Sequence, residues 1–217
     1  PEYNGYYSGK YLDRIAFPLG GIGAGMFCIE GIGAISHMSV RNHPEMFNEP
    51  CMFAAISVQG LENGTKVLEG MVPDWKKFGR PDSGNGSPGT TYGLPRFERA
   101  KFLVRFPYAS IDLSDNDIPM DVKLTAWRPF IPTDHDNSSL PVGAIEYSFK
   151  NTGRGKISAV FSYNSVNFMA IDGDTERVRA VEGGFILSEA GSSDKPENKG
   201  DFAIFTSDPE TVIDLCW

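Results

Sequence analysis

Apolar side chains recur at every second position through much of this chain, a period that commits it to strands before any other property is weighed. Ala100, Phe102, Val104 and Phe106 alternate with Lys101, Leu103 and Arg105. Met120, Val122, Leu124 and Ala126 alternate with Asp121, Lys123 and Thr125, and Ile157, Ala159, Phe161 and Tyr163 with Ser158, Val160 and Ser162. A period of two places each set on one face of a pleated strand. Strands are also expected over 24–30, 34–40, 51–59, 65–71, 108–113, 142–149, 177–182, 184–190, 201–206 and 211–216. Asn63-Gly64, Asn151-Thr152-Gly153 and Gly183-Gly184 separate several of them with residues that tolerate positive φ. With 15 Phe, 8 Tyr and 3 Trp favouring strands, the expected fold is all-β: a two-sheet antiparallel β-sandwich with little helix. At 217 residues the chain suits one large domain, expected to span 1–217.

Two stretches break the alternation. Residues 73–95 (PDWKKFGRPDSGNGSPGTTYGLP) are too long and too rich in Gly and Pro for a hairpin loop, and loops of that length usually carry function. Residues 129–141 (PFIPTDHDNSSLP) hold prolines that cannot serve inside a central strand. Loops that only turn a chain do not need large apolar side chains, whereas interface cores are enriched in aromatics. Trp75, Phe78, Tyr92, Phe130 and Ile131, with Asp134 beside them, are therefore the candidates for an interface or a substrate mouth, both segments being expected on one side of the sandwich.

The formal net charge of −8 argues against nucleic acid as a partner, because a polyanion repels an acidic protein lacking a basic patch. Arg99, Lys101 and Arg105 read as the wet face of a strand instead. Three cysteines, Cys28, Cys51 and Cys216, without a CxxC pair indicate neither a disulfide framework nor a zinc site. No apolar run approaches the roughly 20 residues of a membrane-spanning helix. The start at Pro1, without an initiator Met, is expected to lie within a longer product.

Chemistry-bearing patterns are sparse. FPLGGIGAG over 17–25 lacks GxGxxG spacing and runs on into strand-like Met26 to Ile29, so its glycines serve the backbone and not a cofactor. Asp134, Asp136 and Asn137 could offer oxygen to a hard cation, but such short runs mostly cap turns, and no metal is expected. Asp172-Gly173-Asp174 reads as a hairpin turn. His37, His43 and His135 sit in separate segments without a nucleophile motif. Glu45 and Glu49, flanking HPEMFNEP, read as solvated loop charge and not as a hydrolytic acid pair. Asn63-Gly64-Thr65 and Asn137-Ser138-Ser139 match the glycosylation sequon, a short pattern that arises by chance. No catalytic residue and no cofactor is expected from these residues.

The glycine run and the second irregular segment also carry a resemblance. FPLGGIGAG followed by PFIPTDHDNSSLPVGAIEYSFKNTG resembles the N-terminal domain of glycoside hydrolase family 116, which includes the non-lysosomal glucosylceramidases or bile-acid β-glucosidases. Pro129, Pro132, Asp134, Ser138, Ser139, Leu140 and Pro141 match the longer motif; Asn137 stands where the family commonly has Asp. The resemblance runs over about 12–164 and implies a β-sandwich packed on a C-terminal (α/α)6 barrel. It implies further that the barrel holds the Glu nucleophile and Asp acid/base of a retaining β-glucosidase, so this segment is non-catalytic and meets glucoside substrate through its barrel partner. The chain's end inside an apolar run is expected to precede that barrel. The alternative is a stand-alone carbohydrate-binding or structural sandwich, with Trp75, Tyr92 and Trp127 stacking on sugar rings.

Overall fold

The computed structural model describes residues 2–46, 48–78, 91–171 and 176–215, apart from the side chains of Phe78 and Glu176. Its strands are β1 (Tyr7–Ser8), β2 (Ala16–Leu19), β3 (Met26–Glu30), β4 (Ile35–Ser39), β5 (Met52–Val58), β6 (Thr65–Val67) and β7 (Arg99–Arg105). They continue as β8 (Tyr108–Ser114), β9 (Met120–Trp127), β10 (Ala144–Asn151), β11 (Ala159–Ser165), β12 (Glu176–Val181), β13 (Gly184–Glu189) and β14 (Gly200–Phe205). Two short helices, α1 (Asp74–Phe78) and α2 (His135–Ser138), fall in the two segments that break the alternation. Among the described residues strand accounts for 43% and helix for 8%, so the fold is all-β.

The chain divides into two compact units, Pro1–Asn164 and Ser165–Trp217. In the first, one layer is the five-stranded sheet β1-β7-β8-β9-β10, and the second is divided between the sheets β2-β3-β4 and β11-β5-β6. Alternation explains the packing. Ala109, Ile111 and Leu113 of β8 stand opposite Ala126, Leu124 and Val122 of β9, all buried against Phe17, Leu19 and Ile29 and against Ala54, Ile56 and Val58. Tyr147 and Phe149 of β10 meet Phe161 of β11 with ring centroids 5.2 and 5.9 Å apart, carrying the same core to the sheet edge. The second unit is the antiparallel sheet β12-β13-β14. Leu187 is buried between Val178 and Phe202, and Phe168 lies edge-on to Phe202 at 4.9 Å.

Two short strands escape the alternation. β2 contains Pro18, which cannot donate to a ladder, and the sheet order puts β2 at an edge, where Pro is tolerated. β1 adds only Tyr7 and Ser8 to β7. Conversely, no strand forms over 211–215: Val212 is 89% exposed, and this segment finds no neighbouring ladder. The expected Asp172-Gly173-Asp174 turn and Cys216 lie outside the described residues.

A buried carboxylate ties the layers together. Asp115, in the turn after β8, accepts from the Lys66 ammonium of β6 at 2.7 Å and from the backbone N–H groups of Glu98 and Asp117 at 3.0 and 2.8 Å. Burial would push its carboxyl up, but Lys66 and those two N–H groups outweigh burial and hold it below the ordinary 3.8. Such a group contributes stability that is present above the unfolded pKa and lost as pH falls through the lower folded value. Asp115→Asn is therefore expected to destabilise the chain in urea at pH 7 by about 2 kcal/mol, between an exposed and a deeply buried pair. The gap to wild type should narrow below about pH 4; a gap that is constant down to pH 2 would contradict this role.

Candidate functional site

The glycine run and the 129–141 segment, far apart in sequence, interlock. The chain leaves β2 at Gly20, where φ is 126° and a Cβ would sit 2.6 Å from the Gly25 carbonyl oxygen. At Gly21 a Cβ would fall on the Leu140 carbonyl and 2.5 Å from backbone atoms of Ser139, so only glycine permits this approach. Ile22 then donates its N–H to the Ser138 carbonyl at 2.9 Å. Ser138 is buried; its hydroxyl donates to the Ile131 carbonyl at 3.1 Å and accepts the Ile131 N–H at 2.9 Å. One serine thus closes the loop on itself and fastens it to the glycine turn.

Asp134 caps α2, accepting the Asn137 N–H at 3.0 Å and the Asn137 side-chain amide at 2.6 Å. Those two bonds hold its carboxyl below the ordinary range. Among the described residues no group of three or more His, Cys, Asp or Glu is arranged to hold a metal. With its backbone fixed from behind, the loop turns its apolar side chains to solvent: Phe130, Ile131, Leu140 and Val142 are all exposed. Phe106, 54% exposed at the β7–β8 turn, packs edge-on against Phe130 at 4.8 Å.

The 73–95 segment is built differently, and it docks at the opposite end of the β2–β3 hairpin. Trp75 donates its indole N–H to the Asp13 carbonyl at 2.8 Å, and the Arg14 guanidinium lies 4.0 Å from its ring centroid. Lys76 is buried, donating to Glu30 at 2.6 Å and to Glu49 at 2.9 Å. Where the segment returns, Tyr92 donates its hydroxyl to Glu49 at 2.8 Å. Arg96 reaches Glu69 at 3.1 Å and the carbonyls of Thr91 and Leu94 at 2.7 and 3.0 Å. Both feet of the segment are therefore pinned by buried charges around a cavity of about 50 Å³ lined by Glu49, Glu69, Lys76, Tyr92 and Arg96. Residues 79–90 and the Phe78 side chain lie outside the described residues.

Of the six sequence candidates, the loop brings Phe130, Ile131 and Asp134 together; Trp75 and Tyr92 face inward on the chain's own groups. Glu49, read from sequence as solvated, holds both Lys76 and Tyr92. Glu45 keeps an exposed pairing with His43 at 2.9 Å. Glu30, Lys76, Glu69 and Arg96 gave no sequence signal, since their partners lie up to 46 positions away.

Burial pushes the carboxyls of Glu30 and Glu69 up, against the pull of Lys76 on the first and Arg96 on the second. Burial and neighbouring Glu30 push the Cys28 thiol up to about 11, which leaves it a poor nucleophile near neutrality. Lys76→Ala would strand Glu30 and Glu49, and is expected to cost about 3–5 kcal/mol at pH 7. A carboxyl with a raised folded pKa favours the fold most below its unfolded pKa, and that contribution fades as pH rises through the folded value. The loss in Lys76→Ala should therefore shrink at pH 5 in urea titrations; a loss that grows as pH falls would contradict this assignment.

Among the described residues no helix is long and apolar enough to cross a membrane. No curated protein matches the chain. The family model described as beta-glucosidase 2, glycosyl-hydrolase family 116 N-term matches residues 16–216, a span that includes both interlocking motifs. The glycine turn, the loop it seats and nearly all of the surrounding sandwich lie within that match, and the chain belongs to the N-terminal domain family of glycoside hydrolase family 116.

Proposed function

We propose that this chain is the non-catalytic sandwich of a retaining β-glucosidase-type enzyme and that its 129–142 loop seats a C-terminal (α/α)6 catalytic barrel. The observation that carries this reading is a loop fixed through its backbone yet exposing Phe130, Ile131, Leu140 and Val142. Exposed apolar side chains held in place are what a docking surface requires, and inter-domain contacts of this kind bury about 600–1,500 Å². Phe130, Ile131 and Asp134 thereby remain interface or substrate-mouth candidates, while Trp75 and Tyr92 act indirectly by holding the feet of the 73–95 segment.

Retaining hydrolysis needs two carboxylates about 5–5.5 Å apart around the sugar. Among the described residues the buried carboxylates are engaged elsewhere: Glu30 by Lys76, Glu69 by Arg96, Asp115 by Lys66 and Glu189 by the Ile171 N–H. A carboxylate buried against a cation inside the sandwich is out of reach of a sugar, which supports placing the chemistry in the barrel. The stand-alone carbohydrate-binding alternative counted on Trp75, Tyr92 and Trp127, of which the first two are bonded inward.

The test pairs two measurements. The chain alone is expected to hydrolyse no aryl β-glucoside, whereas the protein carrying its barrel does. Phe130→Asp combined with Ile131→Asp should lower the activity and thermal stability of that longer protein, by about tenfold in rate if docking shapes the site. The same pair should leave the circular dichroism of the isolated chain unchanged. Turnover by the chain alone, abolished by one Asp or Glu substitution within it, would contradict the proposal, as would a longer protein indifferent to the pair.

A further inference from the structure

The five-stranded sheet has an outer face, and its registers set that face out in rows. Arg105, Tyr108, Trp127 and Ala144 stand side by side across β7 to β10. The next row on the same face holds Leu103, Ser110, Thr125 and Glu146, and the one beyond it pairs Asp112 with Lys123. Neighbouring strands lie about 4.8 Å apart, and rows two residues apart are separated by about 7 Å, so the first two rows cover roughly the footprint of one or two sugar rings.

Tyr108 is 51% exposed and Trp127 39%. Among the described residues, no side-chain hydrogen bond, ion pair or ring contact engages Tyr108, Trp127, Ser110 or Thr125. Two exposed aromatic rings thus stand beside the half-buried hydroxyls of Ser110 and Thr125, for which the chain itself supplies no side-chain partner. Each alternative occupant fits this chemistry less well. A polyanion would meet the carboxylates of Glu146 and Asp112 on the same face, and the chain is acidic overall. An apolar protein surface would cover the hydroxyls without partners, which costs free energy. A pyranose satisfies both rows, laying its C–H face on an aromatic ring and exchanging hydrogen bonds with serine and threonine.

We propose that Tyr108, Trp127, Ser110 and Thr125 form an oligosaccharide-binding subsite on the outer face of the sheet. It takes β-linked pyranosides whose ring hydroxyls are equatorial, because these lay a flat C–H face on an aromatic ring while their hydroxyls point sideways to neighbouring side chains. The subsite is independent of the docking loop: it stands or falls with the Tyr108–Trp127 row, and docking with Phe130 and Ile131.

Cellotetraose titrated calorimetrically into the 217-residue chain is the probe. Binding is expected in the millimolar range or tighter, weakened about tenfold or more by Trp127→Ala and by Tyr108→Ala. Thr125→Val should weaken it less, and a β-1,4-linked galactotetraose, whose O4 is axial, should bind several-fold more weakly. Phe130→Asp combined with Ile131→Asp should leave binding unchanged. Circular dichroism and thermal unfolding confirm that each variant is folded, and Thr125→Val provides a milder variant if an aromatic one is not. Absence of heat with about 20 mM cellotetraose would overturn the subsite, as would wild-type affinity in both aromatic variants. A Trp127→Ala change that leaves saccharide binding intact but destabilises the longer protein would assign this face to domain contact instead, and would also overturn it.

Discussion

Gly21 lies against the backbone of Ser139 and Leu140 with no room for a side chain, and the display of the 129–142 loop follows from that contact. Because main chain meets main chain, the loop is held without spending its own large side chains on the attachment. Ser138 completes the arrangement from inside, its hydroxyl serving both backbone groups of Ile131 and its carbonyl accepting from Ile22. Phe130, Ile131, Leu140 and Val142 are then left to face outward. A Cβ at position 21 would push the loop off its seat even though it would touch none of those residues, which is the sense in which two separated motifs form one device.

Buried charge performs the corresponding task where the ladder offers no hold. Lys66–Asp115 clamps a turn of the large sheet to β6, Lys76 with Glu30 and Glu49 fastens the first foot of the 73–95 segment, and Arg96 with Glu69 fastens the second. Each pair carries a desolvation cost, visible in the raised carboxyls of Glu30 and Glu69. An apolar replacement could be as stable, but it would accept many placements of an irregular segment. An ammonium bound to two carboxylates accepts few. The same ion pairs that place the segments occupy the carboxylates of Glu30, Glu49, Glu69 and Asp115.

Much of this was legible in the sequence where the physics is local. The alternation of Met120, Val122, Leu124 and Ala126 placed β9 and identified its buried face, because a period of two leaves no other face for them. The two irregular segments were visible from Pro and Gly alone, and in the second of them Phe130 and Ile131 are exposed. What escaped is non-local. Pro18 hid β2, whose edge position only the assembled sheet reveals. Nothing near Lys76 announces that Glu30 will neutralise it, and Glu49 resembled any loop carboxylate until Lys76 and Tyr92 closed on it. The 211–216 stretch had strand composition, yet its described residues form none, since a strand also needs an edge to join.

Hydrogen–deuterium exchange on the chain, alone and joined to the proposed C-terminal barrel, tests most directly whether the 129–142 loop is the seat of such a barrel. Seating should slow exchange across 129–142 and at the neighbouring Phe106, while β12, β13 and β14 exchange as they do in the isolated chain. Unchanged exchange over 129–142 in the joined protein, or protection that falls only elsewhere, would contradict the docking assignment.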